Sequence, residues 1–162
     1  MMKLSVVRRP LEHADVRPLL DALDRELAEV NPDGGTNFTS LASHEVIDGH
    51  GAFFVVYGDG RPVGCGAYRP VPDERGVAEV KRMWSDPSLR GSGVGHAVMR
   101  AIIDGARTDG YHELRLETGL HLEGAMRLYL RHGFRECAPW GEYVGVPLSH
   151  CMSLRLDGPG HE

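Results

Sequence analysis

Apolar residues at Val16, Leu19, Leu20, Leu23, Leu27 and Val30 recur at the i, i+3, i+4, i+7 spacing of a helix with one buried face. Asp15 stands at its N-cap position and Pro18 falls inside the first turn, where a missing N–H costs little. Asn31-Pro32-Asp33-Gly34-Gly35 ends the helix. Before it, Lys3 to Arg8 reads as a strand. The stretch after it, to about His50, is long for a connection in a compact domain and leaves room for a short helix over Thr39 to Glu45. Ala52 to Tyr57 and Val63 to Tyr68 are β-branched and aromatic runs on either side of Gly58-Asp59-Gly60-Arg61, an Asp-Gly hairpin signal. Val77 to Trp84 is the next strand, antiparallel again if Val71 to Gly76 is a tight connection. Val94, Ala97, Val98, Ala101 and Ile102 then mark one face of a helix stopped at Gly110. His112 to Glu117 reads as a strand, and Ala125, Leu128, Tyr129 and His132 as a helix from Glu123 to Gly133. Phe134 to Cys137 and His150 to Leu156 are the last strands.

This order predicts an α/β or α+β fold, a mixed central sheet of about seven strands flanked by about four helices. With 162 residues, 41% hydrophobic and 25% charged, the chain has the size of one domain, residues 1–162. Its longest apolar run, Ala52 to Tyr57, is far short of the roughly 18 residues of a membrane span, and the start lacks the apolar core of a signal peptide. A cytoplasmic protein with no membrane partner is expected. The net charge of −5, with no basic block longer than Arg8-Arg9, argues against a nucleic-acid partner. Three cysteines, Cys65, Cys137 and Cys151, are widely spaced with no C-x-x-C, which points away from a disulfide framework and toward a reduced compartment. No pair among the nine histidines has metal-ligand spacing backed by carboxylates, so no metal is expected.

The chemistry concentrates between Val77 and Asp109. There a strand runs into Arg90-Gly91-Ser92-Gly93-Val94-Gly95 and then a helix. A glycine-rich turn at a helix N-terminus presents unpaired N–H groups and the positive end of the helix dipole, which suits an anion, phosphate above all. The alternative is an ordinary turn with a helix cap. No G-K-[ST] is present for a Walker A loop, and G-x-G-x-x-G started at Gly91 would need glycine where His96 stands. What remains is Arg90-x-x-Gly93-x-Gly95.

That motif resembles the Q/R-x-x-G-x-G/A acetyl-CoA signature of the GNAT superfamily of N-acetyltransferases. The flanks resemble it too. Glu79-Val80-Lys81-Arg82-Met83-Trp84 is similar to the family's strand before the loop, Leu116-Glu117-Thr118-Gly119 to the next strand, and Ala125-Met126-Arg127-Leu128-Tyr129-x-x-x-Gly133-Phe134 to its following helix and turn. Tyr143-x-x-x-Pro147-Leu148-Ser149 resembles one bacterial branch. The resemblance implies acetyl-CoA as co-substrate. The backbone of Met83, Trp84 and Ser85 would meet the pantetheine arm where two parallel strands splay apart, and the N–H groups of Gly91, Ser92, Gly93, Val94, Gly95 and His96 the pyrophosphate. Gly93 and Gly95 would be small for close approach, with Arg90 adding charge.

The implied reaction is attack of a neutral amine on a thioester carbonyl, which needs a base for R-NH3+ and an acid for the leaving thiolate. Glu79, at the offset of a catalytic glutamate in some members, is the base candidate; a strand glutamate in a salt bridge is the alternative. Glu117, on the neighbouring strand, is the substitute. Tyr129 occupies the position of the family's common general acid, although an apolar helix face explains it as core. Acceptor pockets in the superfamily draw on the first helix, the loop after it and the C-terminal strands, here Glu26, Glu29, Asn31 to Phe38, and Trp140 to Val146 with Tyr143. Glu26 would attract a cationic amine, though a solvated helix face accounts for it equally. His121 is a further candidate for lining the amine site, and Leu122 replaces a polar residue of many relatives. Cys151 fits a buried small hydrophobe better than a nucleophile. A homodimer is an expectation at the family level. A CoA-binding module without turnover and a Rossmann-type nucleotide protein are the competing readings.

Overall fold

The computed structural model describes residues 2–30, 40–119, 123–147 and 149–156. In chain order its main elements are β1 (Leu4–Arg8), α1 (Val16–Val30), β2 (Ala52–Gly58), β3 (Arg61–Pro70), β4 (Val77–Ser85), α2 (Val94–Thr108), β5 (Glu113–Gly119), α3 (Glu123–Arg131), β6 (Arg135–Glu136) and β7 (Ser149–Arg155). They build a seven-stranded sheet in the order β1-β2-β3-β4-β5-β7-β6. Every pairing is antiparallel except β4 with β5. The β2–β3 turn places both Asp59 and Gly60 at positive φ, the type I′ geometry that matches the twist of its strands.

Two apolar layers cover the sheet. On one face α1 contributes Val16, Leu19 and Leu20, packed with Phe53, Val55, Cys65 and Ala67 of β2 and β3. On the other, Val94, Val98, Met99, Ile102, Ile103 and Ala106 of α2 pack with Phe54, Val56, Tyr68, Ala78, Val80, Leu114 and Leu116, and Tyr129 and Phe134 extend that layer. The alternation in β5 is regular, with Leu114, Leu116 and Thr118 buried, so Glu113, Arg115 and Glu117 fall on the α1 face.

Among the described residues there are three α-helices, against the expected four or so. The segment expected as a short helix before His50 is a single 3-10 turn, Ser43–Val46, in which the Glu45 carboxylate reaches back to the Ala42 N–H at 2.9 Å. Four residues close a cap and leave nothing over to propagate a helix. Thr39 lies outside the described residues. β6 is also shorter than expected, because Phe134 turns into the core beside Tyr129.

β4 departs from regular pairing on both of its sides. Its parallel register with β5 holds only from Val77–Glu113 to Glu79–Arg115. Beyond that β4 stays on β3 while β5 follows β7, so the two strands diverge. Its register with β3 shifts between Lys81 and Trp84, and Arg82 takes φ +59° in the bulge.

Candidate active site

The glycine loop is set by local hydrogen bonds. The Asp86 carboxylate accepts from the Ser88 N–H at 2.9 Å and its hydroxyl at 2.8 Å, capping a short 3-10 helix over Pro87–Leu89. The Ser92 N–H then returns to the Leu89 carbonyl at 3.0 Å. Gly91 and Gly93 have φ +90° and +94°, and Gly93 is the N-cap of α2. The helix ladder begins with the Ala97 N–H on the Gly93 carbonyl at 3.0 Å, which leaves the N–H groups of Val94, Gly95 and His96 without an intrahelical partner. The space in front of Gly93 is open: a Cβ there would meet nothing nearer than Leu4, at 3.9 Å. Gly95 is also held close by its neighbours. A Cβ on it would stand 3.0 Å from Leu128 of α3, so its smallness serves the close approach of α2 and α3. His96 is tied to the turn after the same helix, its Nδ1 2.9 Å from Nε2 of His132. Burial, and then the neighbouring His96, hold His132 below its usual range.

Arg90 and Glu26 meet each other. One guanidinium nitrogen of Arg90 donates to both Glu26 oxygens, at 2.7 and 2.8 Å, and to the Ser85 carbonyl at 3.1 Å. The Trp84 indole N–H reaches the same carboxylate at 3.2 Å. This contact pins the far half of α1 to the end of β4, and Arg82 adds a second tie, to Asp24 at 2.9 Å.

Met83 lies in the bulge, and past it Trp84 and Ser85 pair with Cys65 and Gly64 of β3 while their other edge lines the divergence from β5. The α1 face of that divergence carries a charge network. Glu79 is 2% exposed. One of its oxygens accepts from Arg69 at 2.9 Å; the other accepts from the Tyr143 hydroxyl and lies 3.8 Å from the Lys81 ammonium. Arg69 also holds Glu45 at 2.5 Å. Burial pulls Lys81 below its usual range, while burial and then Glu79 push the Tyr143 phenol far up. Glu117 stands two residues beyond the last β4–β5 pair. Burial raises its carboxyl, offset in part by a 2.6 Å hydrogen bond from the Ser149 hydroxyl and by Lys81. Tyr129 is on the opposite face, edge-on to Phe134 with ring centres 6.0 Å apart. Burial and then Glu117 push its phenol up to about 12.

The structure therefore brings Glu79, Glu117 and Tyr143 together on the α1 face of the divergence, keeps Tyr129 on the other face where the Glu117 charge still acts on it, and pairs Glu26 with Arg90 at the end of β4. His121, Leu122 and Asn31 to Phe38 lie outside the described residues. Arg69, Lys81 and Ser149 are members that the sequence pattern did not single out. Lys81, two residues from Glu79 in one strand, shares its face by simple alternation. Arg69 and Ser149 depend on cross-strand register. Among the described residues no three His, Cys, Asp or Glu side chains are grouped to hold a metal ion.

A mixed sheet whose one parallel pair splays next to an orphaned helix N-terminus is the arrangement of the acyltransferase class. The profile of the Acetyltransferase (GNAT) family matches residues 18–134, and the chain belongs to that family. It is 35% identical to an IAA acetyltransferase of Azospirillum brasilense over 96% of this chain and 100% of that one. A Klebsiella pneumoniae structure, provisionally described as an acyl-CoA N-acyltransferase, superposes with a TM-score of 0.78 at 28% identity, covering 94% of this chain and 97% of that one. A GNAT family acetyltransferase from Elizabethkingia anophelis, with acetyl-CoA bound, shares the fold at a TM-score of 0.65 and 16% identity, covering 94% and 97%.

Proposed function

We propose that this chain is a cytoplasmic, acetyl-CoA-dependent N-acetyltransferase, one domain over residues 1–162, that passes an acetyl group to a primary amine by direct attack in a ternary complex. The observation that carries this reading is the β4–β5 opening, which leads to the unpaired N–H groups at the start of α2. Acetyl-CoA supplies the activated thioester. The Met83–Ser85 edge is suited to hydrogen-bond the pantetheine amides, and the Gly91–His96 loop to hold the pyrophosphate.

Between the two candidate bases, hydrogen bonding favours Glu117. Glu79 already receives Arg69 and Tyr143 and is tied to Lys81, so its oxygens are occupied by donors. Glu117 accepts from the Ser149 hydroxyl, lies where the strands have separated, and has a carboxyl raised by burial, which suits a group that must take a proton near neutral pH. Glu79 then positions Tyr143. The second reading, Glu79 as base, is favoured by its place at the root of the opening. Tyr129, across the sheet, is suited to return a proton to the departing sulfur.

Melting curves and thiol release test the proposal together. CoA or acetyl-CoA should raise the melting temperature by mass action while NAD and ATP do not. Free thiol should then appear with some member of a panel of amino acids, polyamines, aminoglycosides and peptides. Equal stabilisation by NAD refutes the co-substrate, and stabilisation by CoA with no release from any amine leaves a binding module.

A further inference from the structure

Cys137 follows β6 directly, and its N–H donates to the Cys151 carbonyl of β7 at 2.9 Å. That bond flanks the Glu136–Met152 pair at which the β6–β7 ladder ends, and the register of Arg135 on Ser153 and Glu136 on Met152 sets Cys137, the next residue, across from Cys151 on the same face. Facing residues of antiparallel strands are about 4.5–5.5 Å apart at Cα, inside the roughly 4.4–6.8 Å that a disulfide spans. Cys137 is partly exposed and Cys151 buried, while Cys65 is buried separately between β3 and α1. Trp140 and Tyr143 lie in the connection from β6 to β7, between these two cysteines in the chain. On its other side Cys151 faces Glu117.

We propose that Cys137 and Cys151 are a redox pair, which a peroxide joins into a cross-strand disulfide at the neck of the Tyr143 loop. The chemistry balances with hydrogen peroxide as oxidant. The partly exposed Cys137 sulfur attacks one peroxide oxygen, the O–O bond breaks, and a sulfenic acid and water result. The Cys151 sulfur then attacks the Cys137 sulfur, the S–O bond breaks, and a second water leaves. Both sulfurs are oxidised and both peroxide oxygens reduced. Since the thiolate is the attacking form, the rate carries a signature. Burial raises the Cys137 thiol and pushes the Cys151 thiol up to about 11, with the nearby Cys137 adding to the latter shift, so oxidation should quicken as pH rises. The linkage would fix the neck of the loop whose Tyr143 reaches Glu79, next to Glu117.

Both cysteines lie in the single tryptic peptide Glu136–Arg155, and Cys65 lies outside it. The folded protein is treated with hydrogen peroxide, then unfolded, alkylated with iodoacetamide, digested and weighed. The expected result is a Glu136–Arg155 peptide lighter by two hydrogens and without an alkyl group, an alkylated Cys65, full reversal by dithiothreitol, and faster conversion at higher pH. Cys137→Ser and Cys151→Ala should each abolish the mass loss. Alkylation of all three cysteines after peroxide, sulfinic acid at Cys137 without a link, a disulfide-linked dimer, or a mass loss surviving in either variant overturns the proposal.

Discussion

Replacing Tyr143 with phenylalanine removes one oxygen from the middle of the charge network and little else. The ring keeps its edge-on contact with Trp140, at 5.0 Å between centres. What changes is Glu79, whose second oxygen loses its hydroxyl donor and keeps Lys81 at 3.8 Å, while Arg69 holds the first at 2.9 Å. A hydrogen bond to a charged group in such a setting contributes about 1.5–3 kcal/mol. At about 2–4 °C per kcal/mol for a chain of this size, the melting temperature should fall by roughly 3–12 °C. Burial and Glu79 hold the phenol protonated far above its usual range, so it remains a donor and the loss should not vary between neutral and moderately alkaline pH. Calorimetry of the wild type, Tyr143→Phe, Glu79→Gln and the double variant closes the cycle, with an expected coupling of about 0.5–3 kcal/mol between the two positions. A melting temperature within about 1 °C of wild type, or strictly additive losses, would refute the reasoning, since either means that the hydroxyl and the carboxylate do not stabilise each other.

Gly93→Ala should lower stability by about 1–2 kcal/mol, because φ +94° is unfavourable for a residue with a Cβ, and should weaken CoA in a titration; unchanged affinity would reduce the loop to a helix cap. Glu117→Gln should keep CoA binding and cut turnover by roughly 10²-fold or more, with the deficit shrinking as pH rises and more of the amine is neutral; if Glu79→Gln gives this result and Glu117→Gln does not, the base is Glu79. The same Glu117→Gln variant has a stability signature. A carboxyl raised in the folded state makes the wild type lose stability as pH climbs from the ordinary carboxylate range through the raised value, so the variant's relative melting temperature should improve across that window and not below it. Tyr129→Phe should retain CoA binding and lose at least about tenfold in turnover; normal turnover would leave Tyr129 as core.

Much of the scaffold is legible in the sequence because it is local. The α1 stripe gives Val16, Leu19, Leu20 and Leu23 as its buried face, the Asp-Gly pair fixes the β2–β3 turn, and Arg90-x-x-Gly93-x-Gly95 marks the start of α2. The site's wiring is not local. Arg69 meets Glu79 through the register of β3 on β4, and Tyr143 reaches the same carboxylate across 64 positions of chain. Glu26 and Arg90 are another non-local pair. Each looks like a charge available to a ligand when read along the chain, and the packing of α1 on the end of β4 turns them toward each other. Gly95 belongs to the right motif for a reason the motif does not state, since only the crossing of α2 and α3 reveals Leu128 beside it.

The short β4–β5 pairing also bears on how the chain folds. β1 to β4 connect to their sheet neighbours antiparallel and in chain order, apart from the α1 excursion, whereas β5, β6 and β7 form a second antiparallel group. Only three residue pairs, Val77–Glu113 to Glu79–Arg115, join the groups by strand pairing, and the intervening α2 makes that contact non-local. Low-order hairpin contacts close early and such parallel seams close late, because the long connection costs entropy before any pairing rewards it. The last cleft to be completed on this route is the one lined by Glu79 and Glu117. Native-state hydrogen exchange should accordingly show the amides across the seam opening at a lower free energy than those between β2 and β3.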